Sequence, residues 1–97
     1  MAFKDEYNFS ELKNETERFV FEFLEEALKA DPSICCCEDC VLDMAALALN
    51  KAPASYRVSL LGKLYARAKE EDKEYIQKVR QAVSEAVAKV KANPAHD

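Results

Sequence analysis

Four cysteines lie within six positions of this chain, directly before the apolar run Val41–Leu49, and the chain has no other cysteine. Three of them have the spacing Cys35-x-Cys37-x-x-Cys40, which places their thiols on a turn that enters a helix. A helix N-terminus lowers the pKa of a thiol and so favours the thiolate, which is the form that binds metals. Where thiols stay reduced, zinc is the expected metal for clustered sulfur ligands. The turn therefore predicts a structural zinc site.

A structural zinc ion takes four ligands, so the three cysteines need a further one. The candidates are Cys36, Asp39, His96, water and a group from a second chain, and Cys36 is expected to be the spare thiol because adjacent cysteines rarely bind one ion together. His96 is within reach by chain length. A helix over residues 38–51 and an extended link carry the chain about 46 Å from the turn, and a helix of about 30 residues brings it back roughly 45 Å. We therefore include His96 in the predicted metal site.

Two other interpretations of the cysteines stay open. Cys37-x-x-Cys40 has the spacing of a thiol redox pair, although no alternating βαβ pattern surrounds it. The turn would also suit a metal-free thiol site or a sensor of soft metals.

The hydrophobic pattern predicts an all-α domain with two long helices. Apolar residues recur with helical spacing over roughly residues 9–30 and 63–92, and the chain contains one glycine and three prolines. Asn8 followed by Glu11 resembles a capping box at the start of the first helix. The acidic run 70–72 is expected to be a solvated face of the last helix.

A short third helix is predicted over residues 38–51, because the run within it is apolar almost all round and such helices are buried. Residues 53–60 alternate between apolar and polar side chains and are expected to form an extended, strand-like connection. So much apolar surface in a chain of 97 residues predicts a homodimer that packs through the long helices. The whole chain is expected to be one domain.

Composition narrows the possible functions. A net charge of −4 with mixed acids and bases argues against binding a nucleic acid polymer or a membrane surface. The chain has no run of about 18 apolar residues and its first residues lack a signal pattern, so we expect a cytoplasmic protein. The one histidine lies in the C-terminal tail and no paired-carboxylate or Ser/His/Asp pattern is visible, which favours a non-enzymatic function.

The stretch "CCCEDCVLDMAALALNKAPASY" resembles the late-competence ComFB family. That family shows a CxCxxC turn, then an Asp, an "ALN" that ends a buried helix, a proline turn and a Tyr. The matching positions are Cys35, Cys37, Cys40, Asp43, Ala48-Leu49-Asn50, Pro53 and Tyr56. "GKLYARA" at 62–68 and "NPAH" at 93–96 are similar too. Ala54 and Ser55 stand where the family usually has a second proline, which predicts a looser turn.

The resemblance implies a small helical homodimer with a zinc-binding cysteine turn. It also implies a receptor or adaptor for a cyclic dinucleotide, c-di-GMP or c-di-AMP, that passes a signal to an unknown downstream protein. A ligand with two-fold symmetry suits the two-fold axis of a dimer.

A cyclic dinucleotide requires cations for its phosphates and flat groups for its bases. The richest concentration of both comprises Lys51, Tyr56, Arg57, Ser59, Lys63, Tyr65 and Arg67. The alternative is that the tyrosines pack on the domain and the basic residues are solvated. Two rival functions follow, a zinc-stapled scaffold without a small ligand and a thiol sensor.

Overall fold

The computed structural model of the chain describes residues 2–58 and 68–94, which are mostly helical with a small two-stranded sheet. In chain order the elements are α1 (Phe3–Glu6), a 3₁₀ turn (Phe9–Glu11), β1 (Leu12–Asn14), α2 (Glu15–Ala30), α3 (Glu38–Lys51), β2 (Tyr56–Val58) and α4 (Lys73–Ala92). The predicted helical class is confirmed, and the sheet is added to it. None of the described helices is long and apolar enough to span a membrane.

The first long helix begins at Glu15 and not near residue 9, so the predicted start is wrong. The residues before it form β1, which pairs antiparallel with β2 and is thereby removed from the helix. Asn14 ends β1 and caps α2, because its Oδ1 accepts the amide of Thr16 at 3.2 Å and that of Ser55 at 2.8 Å. Asn8 caps only the 3₁₀ turn. Pairing with a distant strand thus overrides the local helical periodicity.

The last helix is also shorter than the periodicity predicts. Asp72 interrupts the predicted helix over 63–92 and caps α4, where its Oδ1 accepts the amide of Tyr75 at 3.1 Å. Residues 68–71 are helical, and residues 63–67 lie outside the described part of the chain. Asp72 is therefore a helix cap, and residues 70–72 are all exposed, as the sequence predicts.

The second predicted helix has the predicted bounds, because α3 spans Glu38–Lys51. Its buried side chains are a single stripe with a spacing of four, formed by Cys40, Met44 and Ala48. On another side Leu42 is 61% exposed. The expectation of burial all round is wrong, and α3 presents an apolar face to the outside of the described domain.

The core lies between α2, α3 and α4, and it contains a buried polar contact between Thr16 and Tyr75. Thr16 is fully buried, and its Oγ1 donates to the carbonyl of Pro53 at 2.6 Å. The hydroxyl of Tyr75 lies 2.5 Å from the same oxygen and is its donor, since Thr16 has one proton to give. The ring of Tyr75 meets Phe19 edge to face at 5.8 Å. This hub joins the start of α2, the end of α3 and the start of α4.

Candidate metal centre

The cysteines follow a turn that is anchored to the core and to α4. Asp31 ends α2, and its Oδ1 accepts the amide and the hydroxyl of Ser33 at 3.0 and 2.6 Å. Ile34 is buried, and its amide donates to the Asp31 carbonyl at 3.2 Å. From the last turn of α4, Lys91 donates to Asp31 Oδ2 at 2.8 Å. The hydrogen bond from Lys91, together with those from Ser33, lowers the pKa of Asp31 to about 2.

Three cysteine thiols converge at the start of α3. The Sγ atoms of Cys35, Cys37 and Cys40 all lie within 4.8 Å of one another. Cys40 is buried, Cys35 is half-buried and Cys37 is exposed, so the cluster lies at the surface with one side in the core. Cys37 is also the N-cap of α3, where its sulfur accepts the amide of Cys40 at 3.4 Å. The start of the helix therefore sets the spacing of the thiols.

The surroundings of Cys35 favour its thiolate. The backbone amide of Cys37, and after it the thiol of Cys37, lower the pKa of the Cys35 thiol against a smaller opposing effect of burial. A thiol with a lowered pKa loses its proton more readily to a metal. The three cysteines of this cluster could therefore hold a metal ion.

The remaining candidate ligands have different positions. The thiol of Cys36 donates to the carbonyl of Ile34 at 3.5 Å, and Cys36 does not belong to the converging cluster. Asp39 is exposed and, among the described residues, does not belong to the cluster either. His96 lies outside the described residues. The contact between Lys91 and Asp31 nevertheless brings the end of α4 to the cysteine turn.

Three of the predicted nucleotide-binding residues lie in the described part of the chain. Tyr56 is 62% exposed, and Lys51 pairs with Glu85 at 3.3 Å on the surface. Arg57 is only 18% exposed and pairs with Glu15 at 2.8 Å. Successive strand residues point to opposite faces, so Tyr56 and Arg57 lie on different sides of β2.

The other predicted nucleotide-binding positions fall outside the described residues. These are Ser59, Lys63, Tyr65 and Arg67.

Sequence reasoning missed Glu15. This carboxylate is 3% exposed, and its two oxygens accept from Arg18 Nε at 2.6 Å and Arg57 Nε at 2.8 Å. Burial acts to raise the pKa of Glu15, but the hydrogen bonds from Arg57 and Arg18 outweigh it and leave that pKa below its usual value. The spacing of Glu15 and Arg18 is a visible signal of a helical ion pair. The sequence has no comparable signal for Arg57, which lies in another element.

Three packed helices and a turn with converging thiols define a small helical protein with a candidate sulfur-ligand metal site. The family model described as Late competence development protein ComFB matches residues 13–94, and the chain belongs to that family.

The solved structure of the late competence protein ComFB from Bacillus subtilis is similar to this chain, with a TM-score of 0.69 and 29% sequence identity. The match covers 86% of this chain and 91% of that one. No curated protein matches the sequence.

Proposed function

We propose that this chain is a non-enzymatic signalling protein whose cysteine turn holds one structural zinc ion. The observation that carries the proposal is the convergence of the Cys35, Cys37 and Cys40 sulfurs within 4.8 Å at the start of α3. A tetrahedral zinc ion with Zn–S bonds of 2.3 Å places its sulfurs about 3.8 Å apart. The thiols therefore need to move inward by only about 1 Å. Bound zinc supplies a crosslink between the turn and the first turn of α3.

We propose His96 as the fourth ligand. Lys91 contacts Asp31, which lies four positions before Cys35. The five residues from Lys91 to His96 can span up to about 17 Å. That reach supports a Cys₃His site.

Metal content tests the zinc site. Mass spectrometry of protein purified without chelator should find about one zinc per chain. Cys37→Ser should remove the metal, whereas Cys36→Ser is the matched control and should retain it, because Cys36 lies outside the cluster. His96→Ala should weaken zinc binding about tenfold or more. Native protein without zinc but with normal helicity and melting would contradict the site.

For the signal itself we propose a cyclic dinucleotide, c-di-GMP or c-di-AMP, bound at the connection between α3 and α4. Family membership motivates the ligand class, and the exposed ring of Tyr56 supports a stacking contact with a base. Arg57 has the planar fork that suits a phosphate, and because it lies on the other side of β2 from Tyr56, the ligand would pass the edge of this strand to reach both. Lys51 adds an exposed positive charge, and the remaining members of the proposed site are Ser59, Tyr65 and Arg67.

Calorimetric titration with both dinucleotides tests the receptor. Tyr56→Ala should weaken binding by about 1–3 kcal/mol if a base stacks on the ring. Tyr7→Ala is the matched control, because Tyr7 is a similarly exposed tyrosine in the segment before β1. Wild-type protein that binds neither dinucleotide at about 100 µM, a dissociation constant already weak for a messenger, would favour a zinc-stapled scaffold.

We also propose a homodimer formed through the groove between α2 and α3. This groove has a volume of about 480 Å³ and is mainly apolar. Phe21 and Leu42 line the groove and are 54% and 61% exposed. Exposed apolar surfaces of this kind mark interfaces. Light scattering should give twice the chain mass at micromolar concentration, and Leu42→Glu should yield the 11.0 kDa monomer. A wild-type monomer would contradict this proposal and leave the zinc site intact.

A further inference from the structure

Two arginines share one buried carboxylate at the junction of α2 and the sheet. Glu15 is 3% exposed, and each of its oxygens accepts one arginine Nε, from Arg18 on the same helix and from Arg57 on β2. Arg57 is itself largely buried, with 18% of its side chain exposed. The carboxylate therefore holds the Nε of the guanidinium that the proposed receptor offers to a phosphate.

The same network continues across the connection between β2 and α4. Arg18 also pairs with Glu22 at 3.4 Å and with Glu70 at 3.2 Å. Among the residues that the structure describes, this network thus has three carboxylates and two guanidinium groups. A phosphate that approaches Arg57 must compete with the negative charge of Glu15 for the arginine.

We propose that Glu15 is an affinity-determining residue, an internal anion that holds Arg57 and sets how tightly a phosphate can bind there. This inference rests on the proposed receptor function and concerns the regulation of the same site. Glu15 and the phosphate bind the same guanidinium, so whatever strengthens one contact weakens the other. In the free protein the carboxylate keeps the arginine from binding other anions.

Substitutions of Glu15 and of Arg18 should have opposite effects on dinucleotide binding. Glutamine at this position replaces one of the two oxygens with a donating NH₂ group. In the observed geometry, where each oxygen accepts from a different arginine, one arginine loses its acceptor, and the negative charge is removed. Glu15→Gln should therefore tighten dinucleotide binding about tenfold. Arg18→Gln leaves Arg57 as the remaining arginine partner of Glu15, which strengthens their pairing, and should weaken binding severalfold. A merely structural role would weaken binding in both variants.

The test is calorimetric titration of c-di-GMP and c-di-AMP into wild type, Glu15→Gln, Arg18→Gln and the control Glu26→Gln. Glu26 lies on α2 and pairs with Arg80 on the surface, so the control makes the same chemical change away from Arg57. Circular dichroism of each variant verifies folding. Should Glu15→Gln fail to fold, Glu70→Gln provides the test. It removes a carboxylate that competes for Arg18, so Arg18 pairs more strongly with Glu15, Arg57 is released, and dinucleotide binding should tighten, which a merely structural role does not predict.

The outcomes separate this proposal from the receptor function. Opposite shifts in the two variants, with Glu26→Gln unchanged, support both. Binding by wild type with no gain in folded Glu15→Gln overturns the role of Glu15 and leaves the receptor standing. Binding by Glu15→Gln alone supports the internal anion, because the carboxylate then masks the site. Binding by none of the proteins overturns both.

Discussion

The two ends of α2 are held in different ways. At its N-terminal end the polar groups are buried. Glu15 accepts from Arg57 on β2, and Thr16 contacts Tyr75 on α4 and the carbonyl of Pro53 after α3. At its C-terminal end the contacts are mostly local, since Asp31 binds Ser33 and the cysteines converge a few residues later. At the first end the buried polar groups have their partners within the protein. At the second end three thiols converge where a metal ion could bind.

This difference determines what should disturb each end. A buried polar network is costly to break because the remaining partner is left without compensation in a low-dielectric environment. If the cysteine turn holds zinc as proposed, its stability should follow metal concentration. Metal removal and substitutions in the buried network should therefore affect different ends of α2.

Metal removal should have the largest effect. A ligand that binds the native state at about 1,000 times its dissociation constant stabilises a protein by about 4 kcal/mol. Chelation of zinc should therefore lower the free energy of unfolding by about that amount. The measurement compares urea denaturation at a fixed free zinc concentration with denaturation in the presence of chelator. Cys36→Ser should respond as wild type does, and Cys37→Ser should show no response to chelator. Superimposable wild-type curves with and without chelator would show that this end needs no ion.

Removal of Arg57 should come next. Arg57→Ala leaves the buried Glu15 with Arg18 as its remaining arginine partner, and loss of one partner of a buried pair costs about 3–5 kcal/mol. We expect about 2–4 kcal/mol, because Arg18 stays and Arg57 is partly exposed. The control Lys29→Ala breaks an exposed pair with Glu25 and should change stability by less than about 0.5 kcal/mol. Equal effects of the two variants in urea denaturation would show that the network is not a buried one in solution.

Loss of the Thr16 hydroxyl should have a smaller effect. Thr16→Val keeps the shape of the side chain but leaves the Pro53 carbonyl and the Tyr75 hydroxyl without this partner, at a cost of about 1–3 kcal/mol. Tyr75→Phe should cost less, because Thr16 still donates to Pro53. Thermal unfolding followed by circular dichroism provides the measurement. Unfolding of Tyr75→Phe at a lower temperature than Thr16→Val would contradict the assignment of donors.

Acid should produce the smallest effect at the cysteine end. The pKa of Asp31 is lowered to about 2 from 3.8, so its contribution to stability is present above pH 3.8 and is lost as the pH falls towards 2. The pKa of Glu15 is also lowered, so its contribution to stability is likewise lost as the pH falls below its usual value of 4.5.

The experiment compares Asp31→Asn with its parent in the metal-free Cys37→Ser background, because acid also releases a thiolate-bound metal. Urea midpoints between pH 5 and 2 should fall less steeply in Asp31→Asn, and the remaining slope should include the Glu15 contribution. Identical slopes in the two proteins would exclude the Lys91–Asp31 bond as a source of acid sensitivity.

The same contrast explains how much could be predicted from the sequence. The predicted bounds of α3 and the predicted clustering of the three thiols are confirmed. Both depend on signals in one continuous stretch of the chain, which ends at Pro53. The strand Leu12–Asn14 was missed because its partner lies at residues 56–58. Glu15 looked like an ordinary acid in a first helical turn, since the position of Arg57 beside it depends on the sheet. Local periodicity carries no information about such pairings.

The junction at Asn14 has a mechanical consequence. This residue is both the last of β1 and the cap of α2, so no flexible linker separates the ribbon from the helix. The 16 residues of α2 form a rod about 24 Å long, and a tilt of about 5° at the ribbon would displace its far end by about 2 Å. That far end is Asp31, to which the cysteine turn is anchored. The position of the cysteine turn therefore depends on the angle at which α2 leaves the ribbon.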